Sequence, residues 1–212
     1  MTITLIIYAI LVLGLLAAEL RENRQAQMFL KPLAAGGFLI IALQSGALDS
    51  LYGQIIFAGL VFCALGDVLL LSRSSEKLFI AGMAAFGFGH LAYLSAFVPF
   101  ETDNFGVMRF VINGMIIGGT IVFFNWLKPM LPAAMKWPVI IYSGIIMFMV
   151  LNAVDLPLTL PLVFAMIAAI MFAVSDMFVA RDRFVKRDPV NALAITPLYF
   201  GAQALFALSV AT

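Results

Sequence analysis

Charged side chains are scarce in this sequence: Asp, Glu, Lys and Arg make up 11% of its 212 residues, whereas 64% are hydrophobic. Soluble domains carry about a quarter charged residues. So few polar side chains cannot cover the surface of a water-soluble fold, and lipid must be the solvent for most of the chain. The composition therefore predicts an integral membrane protein.

Cysteine and histidine are equally rare, with Cys63 and His90 the single examples of each. One cysteine excludes an internal disulfide framework, and one histidine excludes a dedicated multi-histidine zinc site. Nothing argues for a metal held by other residues, and we expect no cofactor. The net charge of +1 gives no indication of a nucleic-acid partner. We infer no obligate protein partner.

Long apolar runs are what the sequence does contain. A membrane-spanning helix needs about 20 mostly apolar residues. Eight segments qualify, at roughly 2–19, 31–49, 52–72, 78–99, 107–127, 137–154, 156–180 and 190–211. The connections are short, so we predict an all-α polytopic protein, one transmembrane domain over residues 1–212. The first run lacks a basic n-region and a cleavage site, and we expect it to be a retained helix.

Basic residues concentrate in alternate connections. The first, third, fifth and seventh connections hold Arg21, Arg24, Lys31, Arg73, Lys77, Lys128, Lys136, Arg181, Arg183, Lys186 and Arg187. The other connections hold Asp49, Glu101, Asp103 and Asp155, with Arg109 as the exception. Because Lys and Arg stay cytoplasmic, both termini are predicted outside. Tight loops and a clear charge bias are typical of a bacterial inner-membrane protein, the localisation we expect.

A short internal repeat is also visible. Ala64-Leu65-Gly66-Asp67 in the third span is similar to Ala173-Val174-Ser175-Asp176 in the seventh, and Lys31-Pro32 to Lys136-Trp137-Pro138. Both pairs lie four helices apart in the same orientation. This pattern is compatible with a parallel duplication of a four-helix unit, and chance similarity between apolar helices is the alternative.

Two aspartates lie at membrane depth. Asp67 precedes Arg73 by six residues and Asp176 precedes Arg181 by five, which places both carboxylates about 7–9 Å inside the cytoplasmic boundary. A charged group there costs several kcal/mol unless it faces a polar interior. Small residues on the same helix faces indicate packed interfaces. We interpret the matched pair as functional, the alternative being polar helix contacts or ion pairs.

His90 lies about 18–20 Å along the fourth span from its cytoplasmic end. A lone imidazole at that depth is either a hydrogen-bonded packing group or a catalytic or ligand-orienting residue. The lesser polar candidates within spans or at their ends are Glu19, Lys31, Tyr93, Asn113, Tyr142, Ser143, Asn152, Tyr199 and Gln203. Lys31 is placed where an ammonium could hold a phosphate, although an ordinary boundary lysine is the alternative.

An ordered set of short motifs runs along the chain. It comprises Lys31-Pro32, Gly66-Asp67 with Leu69-Leu70, Gly89-His90-Leu91-Ala92-Tyr93, Ser175-Asp176, and Tyr199 with Gln203. This set resembles the YhhN family of membrane proteins, whose animal members are lysoplasmalogenases. The resemblance implies an eight-helix enzyme that hydrolyses the vinyl ether bond of lysoplasmalogens to a fatty aldehyde and a glycerophospho-alcohol. It also implies that Asp67 and Asp176 are essential and that His90 belongs to the family's Gly-His motif.

The residues suit this chemistry. Vinyl ethers hydrolyse when an acid protonates the β-carbon and water captures the resulting oxocarbenium ion, which requires an acid and a water-orienting base. Two carboxylates can divide those tasks, in an order that the sequence leaves open. We therefore predict Asp67, Asp176 and His90 as catalytic residues. The predicted substrate-binding residues, for a lipid that enters from the bilayer, are Lys31, Tyr93, Tyr142, Ser175, Tyr199 and Gln203.

Three different functions are also compatible with the sequence. Paired intramembrane aspartates with a histidine suit a proton-coupled carrier. A lipid-binding protein without catalysis would use the same polar groups only to hold its helices together. The third is a hydrolase that acts on another lipid bond.

Overall fold

The computed structural model describes residues 1–72, 75–100 and 106–211. These residues form eight α-helices and no β-strand. The helices are α1 (Thr2–Leu20), α2 (Arg24–Gln44), α3 (Leu51–Leu69), α4 (Glu76–Phe97), α5 (Val107–Leu127), α6 (Lys136–Ala153), α7 (Leu162–Phe184) and α8 (Ala192–Leu208). Within this part of the chain, each helix, taken together with any 3₁₀ turn that adjoins it, is long and apolar enough to cross a membrane. The predicted all-α, eight-helix membrane fold is confirmed.

Two helix starts differ from those predicted. The second span was expected to open at residue 31, but α2 begins at Arg24 because the Asn23 side chain accepts a hydrogen bond from the Ala26 amide and caps the helix. Pro32 consequently lies inside α2. The seventh span was expected from residue 156, but α7 begins at Leu162, directly after Pro161. Proline interrupts a helix interior and is tolerated before its first turn.

The pairing of α3 with α4 depends on glycine. A Cβ on Gly89 would lie 2.7 Å from the Cys63 Sγ and 3.1 Å from the Gly59 carbonyl oxygen. A Cβ on Gly59 would lie 2.4 Å from the Tyr93 ring. The two backbones therefore approach to a distance that only small residues permit. This contact brings the Asp67 end of α3 against the middle of α4.

Helix α5 is peripheral. Only Leu127, at its last position, is buried among its residues, and α5 contacts α6 and, to a lesser extent, α7. Leu127 belongs to a small apolar cluster with Leu131, Met135 and Val139, against which Phe79 and Phe184 pack. The cluster joins the α5–α6 connection to the start of α4 and the end of α7.

Successive spanning helices alternate in direction, so the α1–α2, α3–α4, α5–α6 and α7–α8 connections share one end of the bundle, which we call the basic end. Its assignment to the cytoplasm stays a prediction, as does the repeat. Arg73, Glu101 and Asp103, which contribute to that prediction, lie outside the described residues. Arg109, the exception to the charge pattern, forms an ion pair with Asp155 (Nη2 to Oδ2, 2.5 Å).

Substitution of Gly89 tests the close contact of α3 and α4. Gly89→Ala forces a methyl group against Cys63 and the Gly59 carbonyl, and we expect a loss of about 1–3 kcal/mol of stability, as for other overpacked cores. Gly118→Ala, on α5, is the matched control because a Cβ there meets nothing within 4 Å. Thermal unfolding in detergent measures both, and equal midpoints for the two variants would contradict this packing.

Candidate active site

A cavity of about 330 Å³ lies in the basic half of the bundle. Both membrane-depth aspartates, Asp67 and Asp176, line it. The other polar residues in its wall are Lys31, Thr120, Tyr142, Ser143, Ser175, Arg183 and Tyr199. Phe, Met, Leu, Ile, Val and Ala side chains supply most of the remaining wall. The cavity is therefore an apolar chamber with two carboxylates, which suits a ligand with one long apolar part.

Asp67 is held by two neighbours from other helices. Its side chain is 1% exposed, the Lys31 Nζ lies 3.3 Å from Oδ1, and the Tyr199 hydroxyl donates a hydrogen bond to Oδ2 at 2.5 Å. Because α2 begins at Arg24, Lys31 lies in the second turn of that helix and reaches α3 from the side. The ammonium from α2 thus lies within ion-pair distance of one carboxylate oxygen, and the phenol from α8 forms a hydrogen bond with the other.

Asp176 has a second set of neighbours. The Tyr142 hydroxyl donates to its Oδ2 at 2.8 Å, and the His90 Nε2 lies 3.4 Å from the same oxygen. His90 Nε2 is also 3.2 Å from the Tyr142 oxygen. Since the phenol proton is used toward Asp176, the phenol oxygen can accept from Nε2–H, and the three groups form a chain from His90 through Tyr142 to Asp176. Asp176 itself is 15% exposed, toward the cavity.

Aromatic rings separate the two clusters. The Phe172 ring contacts His90 (centroids 4.4 Å apart) and Tyr199 (5.2 Å), and Phe86 packs edge-on against both Phe172 and Tyr199. The other ring nitrogen of His90, Nδ1, lies 3.2 Å from the Met149 Sδ. His90 is fully buried and does not line the cavity. His90 can therefore affect a reaction in the cavity only by its contacts with Asp176 and Tyr142.

Tyr93 and Gln203, predicted to bind substrate, lie behind the Asp67 cluster and not in the cavity wall. The Tyr93 hydroxyl donates to Gln203 Oε1 at 2.9 Å, and its ring stacks on Phe206 at 4.0 Å. Both side chains are fully buried. Their hydrogen bond and the ring stacking join α4 to α8. Either residue could contact a substrate only if this part of the core rearranged.

The remaining predicted residues divide by position. Tyr142, Ser175, Tyr199 and Lys31 line the cavity, and the Ser175 hydroxyl donates to the Ile195 carbonyl at 3.2 Å. Asn113 lies beside the Arg109–Asp155 pair in a separate pocket, which includes neither Asp67 nor Asp176. Asn152 donates to the Phe148 carbonyl within its own helix.

Arg183 is a cavity residue that was not predicted from the sequence. In the sequence, Arg183 is one of the basic residues that predict the orientation of the chain in the membrane. In the structure, it also lines the cavity. The available signal was its spacing: Arg183 follows Asp176 by seven residues, which is two helical turns and places both on one face of α7. Glu19 also has a defined partner, because it accepts a hydrogen bond from the Thr196 hydroxyl.

Similarity to known proteins extends over most of the chain. The model of the YhhN family matches residues 26–210. The lysoplasmalogenase TMEM86A of Bos taurus is 33% identical over 165 residues, which cover 73% of this chain and 64% of that protein. The human lysoplasmalogenase TMEM86B is 30% identical over 177 residues, covering 84% of this chain and 70% of that protein. The chain thus spans less than two thirds of the length of the bovine relative. No solved structure matches.

The Lys31–Asp67 contact is testable by energetic coupling. We expect Lys31→Met to destabilise the protein, because it leaves a buried carboxylate without its ammonium partner. Adding Asp67→Asn to that variant should recover part of the loss, with a coupling of roughly 0.5–3 kcal/mol between the two positions. Thermal unfolding in detergent measures the four-member cycle, with Lys136→Met as a control at a helix end. Additive effects would contradict the pairing.

Proposed function

The chain belongs to the YhhN family, and from that premise we propose that it hydrolyses the vinyl ether bond of lysoplasmalogens, giving a fatty aldehyde and a glycerophospho-alcohol. The observation that carries this proposal is that two carboxylates line one largely apolar cavity. The names of the curated relatives agree with it. We place the protein in the bacterial inner membrane, with the basic end toward the cytoplasm, and we take its substrate from the bilayer.

The reaction needs a proton before it needs water. A general acid protonates the β-carbon of the vinyl ether, and the electron pair of the double bond forms the new C–H bond. Positive charge then develops on the α-carbon and the ether oxygen. A water molecule adds to the α-carbon and gives a proton to a carboxylate beside it. In the resulting hemiacetal the hydroxyl proton returns to the general acid while the ether oxygen takes up the proton from that carboxylate, and the C–O bond breaks to release the aldehyde and the alcohol. A carboxylate beside the α-carbon both stabilises the cation and orients the water.

The two clusters support a division of these tasks. Asp176 is 15% exposed, against 1% for Asp67, and it lines the cavity, so its carboxyl is the better placed of the two to give a proton to the substrate and to recover one after each turnover. We therefore assign protonation of the β-carbon to Asp176. Asp67 forms an ion pair with Lys31 and a hydrogen bond with Tyr199. We assign it the stabilisation of the oxocarbenium cation and the orientation of the attacking water. His90 and Tyr142 are then positioning residues for Asp176, which they contact through the imidazole Nε2 and the phenol hydroxyl.

The apolar wall accounts for the choice of a lipid substrate. Met115, Ile116 and Phe123 of the peripheral helix α5 line the cavity on one side. A fatty chain lying against this wall would gain hydrophobic binding energy from a part of the molecule that does not react. That binding energy holds the vinyl ether near the carboxylates. A small soluble ether has no fatty chain and would bind the cavity weakly.

A proton-coupled carrier is less well supported by the arrangement of the core. Toward the opposite end of the bundle, the space behind the site is filled by stacked rings, with Tyr93 on Phe206 at 4.0 Å and Phe97 beside Phe206 at 6.5 Å. The largely apolar cavity with its two carboxylates therefore lies in one half of the bundle, as an enzyme pocket does. Hydrolysis of a different lipid bond and lipid binding without catalysis are distinguished from the proposed activity by assay.

Aldehyde release from a purified lysoplasmalogen tests the activity. We expect the wild type to release it, and Asp67→Asn and Asp176→Asn each to lower the rate by about 10²–10⁴-fold, the usual contribution of a general acid or base. Glu22→Gln, an exposed carboxylate between α1 and α2, is the control and should keep full activity. Cleavage of other lysolipids in place of lysoplasmalogen would indicate another hydrolase, and lysoplasmalogen binding without cleavage a lipid-binding protein. Proton movement in liposomes without cleavage would indicate a carrier.

Deuterium oxide tests the order of bond changes. Because the proton from the acid ends on the β-carbon, the aldehyde formed in deuterium oxide should carry one deuterium on the carbon next to the carbonyl. Trapping the aldehyde as a hydrazone and weighing it by mass spectrometry measures this. The rate should also fall in deuterium oxide, since proton transfer to carbon limits vinyl ether hydrolysis. An aldehyde without deuterium would contradict protonation at carbon.

A further inference from the structure

Arg183 is a cation at the rim of the cavity with no acidic partner in the described structure. It lies in the last turn of α7 and lines the cavity. None of the ion pairs formed within the described residues involves it. Its guanidinium carbon instead lies 4.4 Å from the centre of the Phe79 ring. A guanidinium that rests on an aromatic face keeps its N–H edge free for an anion.

Four other basic residues at this end are already engaged. Lys31 faces Asp67, and Lys186 lies 3.4 Å from Asp188. Arg181 donates to the Asn191 side chain, and Arg24 donates to the Leu71 carbonyl. Of the two cations in the cavity wall, Lys31 and Arg183, only Lys31 therefore has a carboxylate beside it in the described structure.

Phe79 gives Arg183 a fixed platform. The Phe79 ring packs edge-on against Phe184 with centroids 6.0 Å apart, and it packs on the apolar cluster around Leu127. The ring is therefore held from α7 and from the α5–α6 connection together. A guanidinium stacked on it has less freedom to lose when it binds an anion, which strengthens binding.

We infer that Arg183 binds the phosphate of a single-chain phospholipid and thereby sets which bond of that lipid reaches Asp176. This inference rests on the proposed function and names the feature of the substrate that the site recognises. Arg183 and Asp176 lie seven residues apart on one face of α7, which separates their Cα atoms by about 10 Å along the helix axis.

The length of a lysoplasmalogen fits that separation. The bonds from the vinyl ether oxygen through the glycerol carbons to phosphorus are each about 1.5 Å and span roughly 6 Å when extended. A hydrogen bond from guanidinium to phosphate oxygen adds about 3 Å. A lipid with its phosphate on Arg183 can therefore reach Asp176 with its vinyl ether, because both residues line one cavity, and its chain continues into the apolar part of that cavity.

The test compares two vinyl ethers that differ only in the headgroup. One is an alkenyl-glycerophosphoethanolamine and the other is the corresponding alkenylglycerol, which lacks phosphate. We expect Arg183→Gln to raise KM for the first roughly 10- to 100-fold, the effect of losing a charge-assisted hydrogen bond, with a smaller change in kcat. KM for the alkenylglycerol should not change. Arg187→Gln, an exposed basic residue outside the cavity wall, is the matched control and should leave both values unchanged.

Two results would overturn the inference. In the first, Arg183→Gln and Arg187→Gln raise KM equally, which would indicate a general effect of surface charge. In the second, Arg183→Gln impairs both substrates equally, which would indicate an effect on the fold or on the chemistry. Inorganic phosphate serves as a further probe and should compete only weakly because it has no chain. Competition as strong as that of the lipid would assign the site to free phosphate and overturn the lipid assignment.

A binding measurement separates this inference from the proposed function. A saturated lysophosphatidylethanolamine has no vinyl ether, so its affinity can be measured by calorimetry whether or not the protein is a vinyl ether hydrolase. If the wild type cleaves no vinyl ether but binds this lipid through Arg183, the inference stands and the proposed activity falls. If it cleaves lysoplasmalogen and Arg183→Gln leaves both KM and this affinity unchanged, the activity stands and the inference falls.

Discussion

A carboxylate inside a membrane protein is stable only where other polar groups surround it, and Asp67 imposes this condition on three helices at once. The lysine that faces it comes from α2 and the phenol from α8, so neither helix can move away without exposing a charge to apolar surroundings. Asp176 ties α7 to α4 and α6 in the same way, through His90 and Tyr142. The two polar clusters thus hold together most of the helices that enclose the cavity.

The partners of the two aspartates follow a regular order. Asp67 on α3 receives one partner from the preceding helix, α2, and one from α8, while Asp176 on α7 receives one from the preceding helix, α6, and one from α4. If the chain were two copies of a four-helix unit, each aspartate would have a partner from its own unit and one from the last helix of the other. The repeat itself stays a prediction from the motifs. The partner residues differ in chemistry, lysine with tyrosine in one cluster and tyrosine with histidine in the other, which suits two carboxyl groups with different tasks.

The sequence was most informative where lipid imposes a simple rule. The length of the apolar runs predicted all eight spans. The cost of burying a charge pointed to Asp67 and Asp176, and both line the cavity. The sequence was less informative where a single local contact decides where a helix starts. Because Asn23 caps α2, this helix begins at Arg24, and Lys31 lies inside it, facing Asp67. Tyr93 and Gln203 could not be told from cavity residues, because helix periodicity gives a face but not what fills the space beside it. Arg183 was hidden for a related reason, since a boundary arginine that binds and one that only orients the chain look alike in sequence.

The exposed position of α5 affects how freely its sequence can change. With Leu127 its only buried residue, most of this helix has no neighbouring side chain to fit, and its outer positions need only be apolar enough to stay in lipid. The cavity-facing stripe of Met115, Ile116, Gly119, Thr120 and Phe123 is different, because its volume determines the shape of the chamber. Related proteins could therefore accommodate chains of different length or unsaturation by changing this stripe alone, while the helices that carry the carboxylates stay as they are.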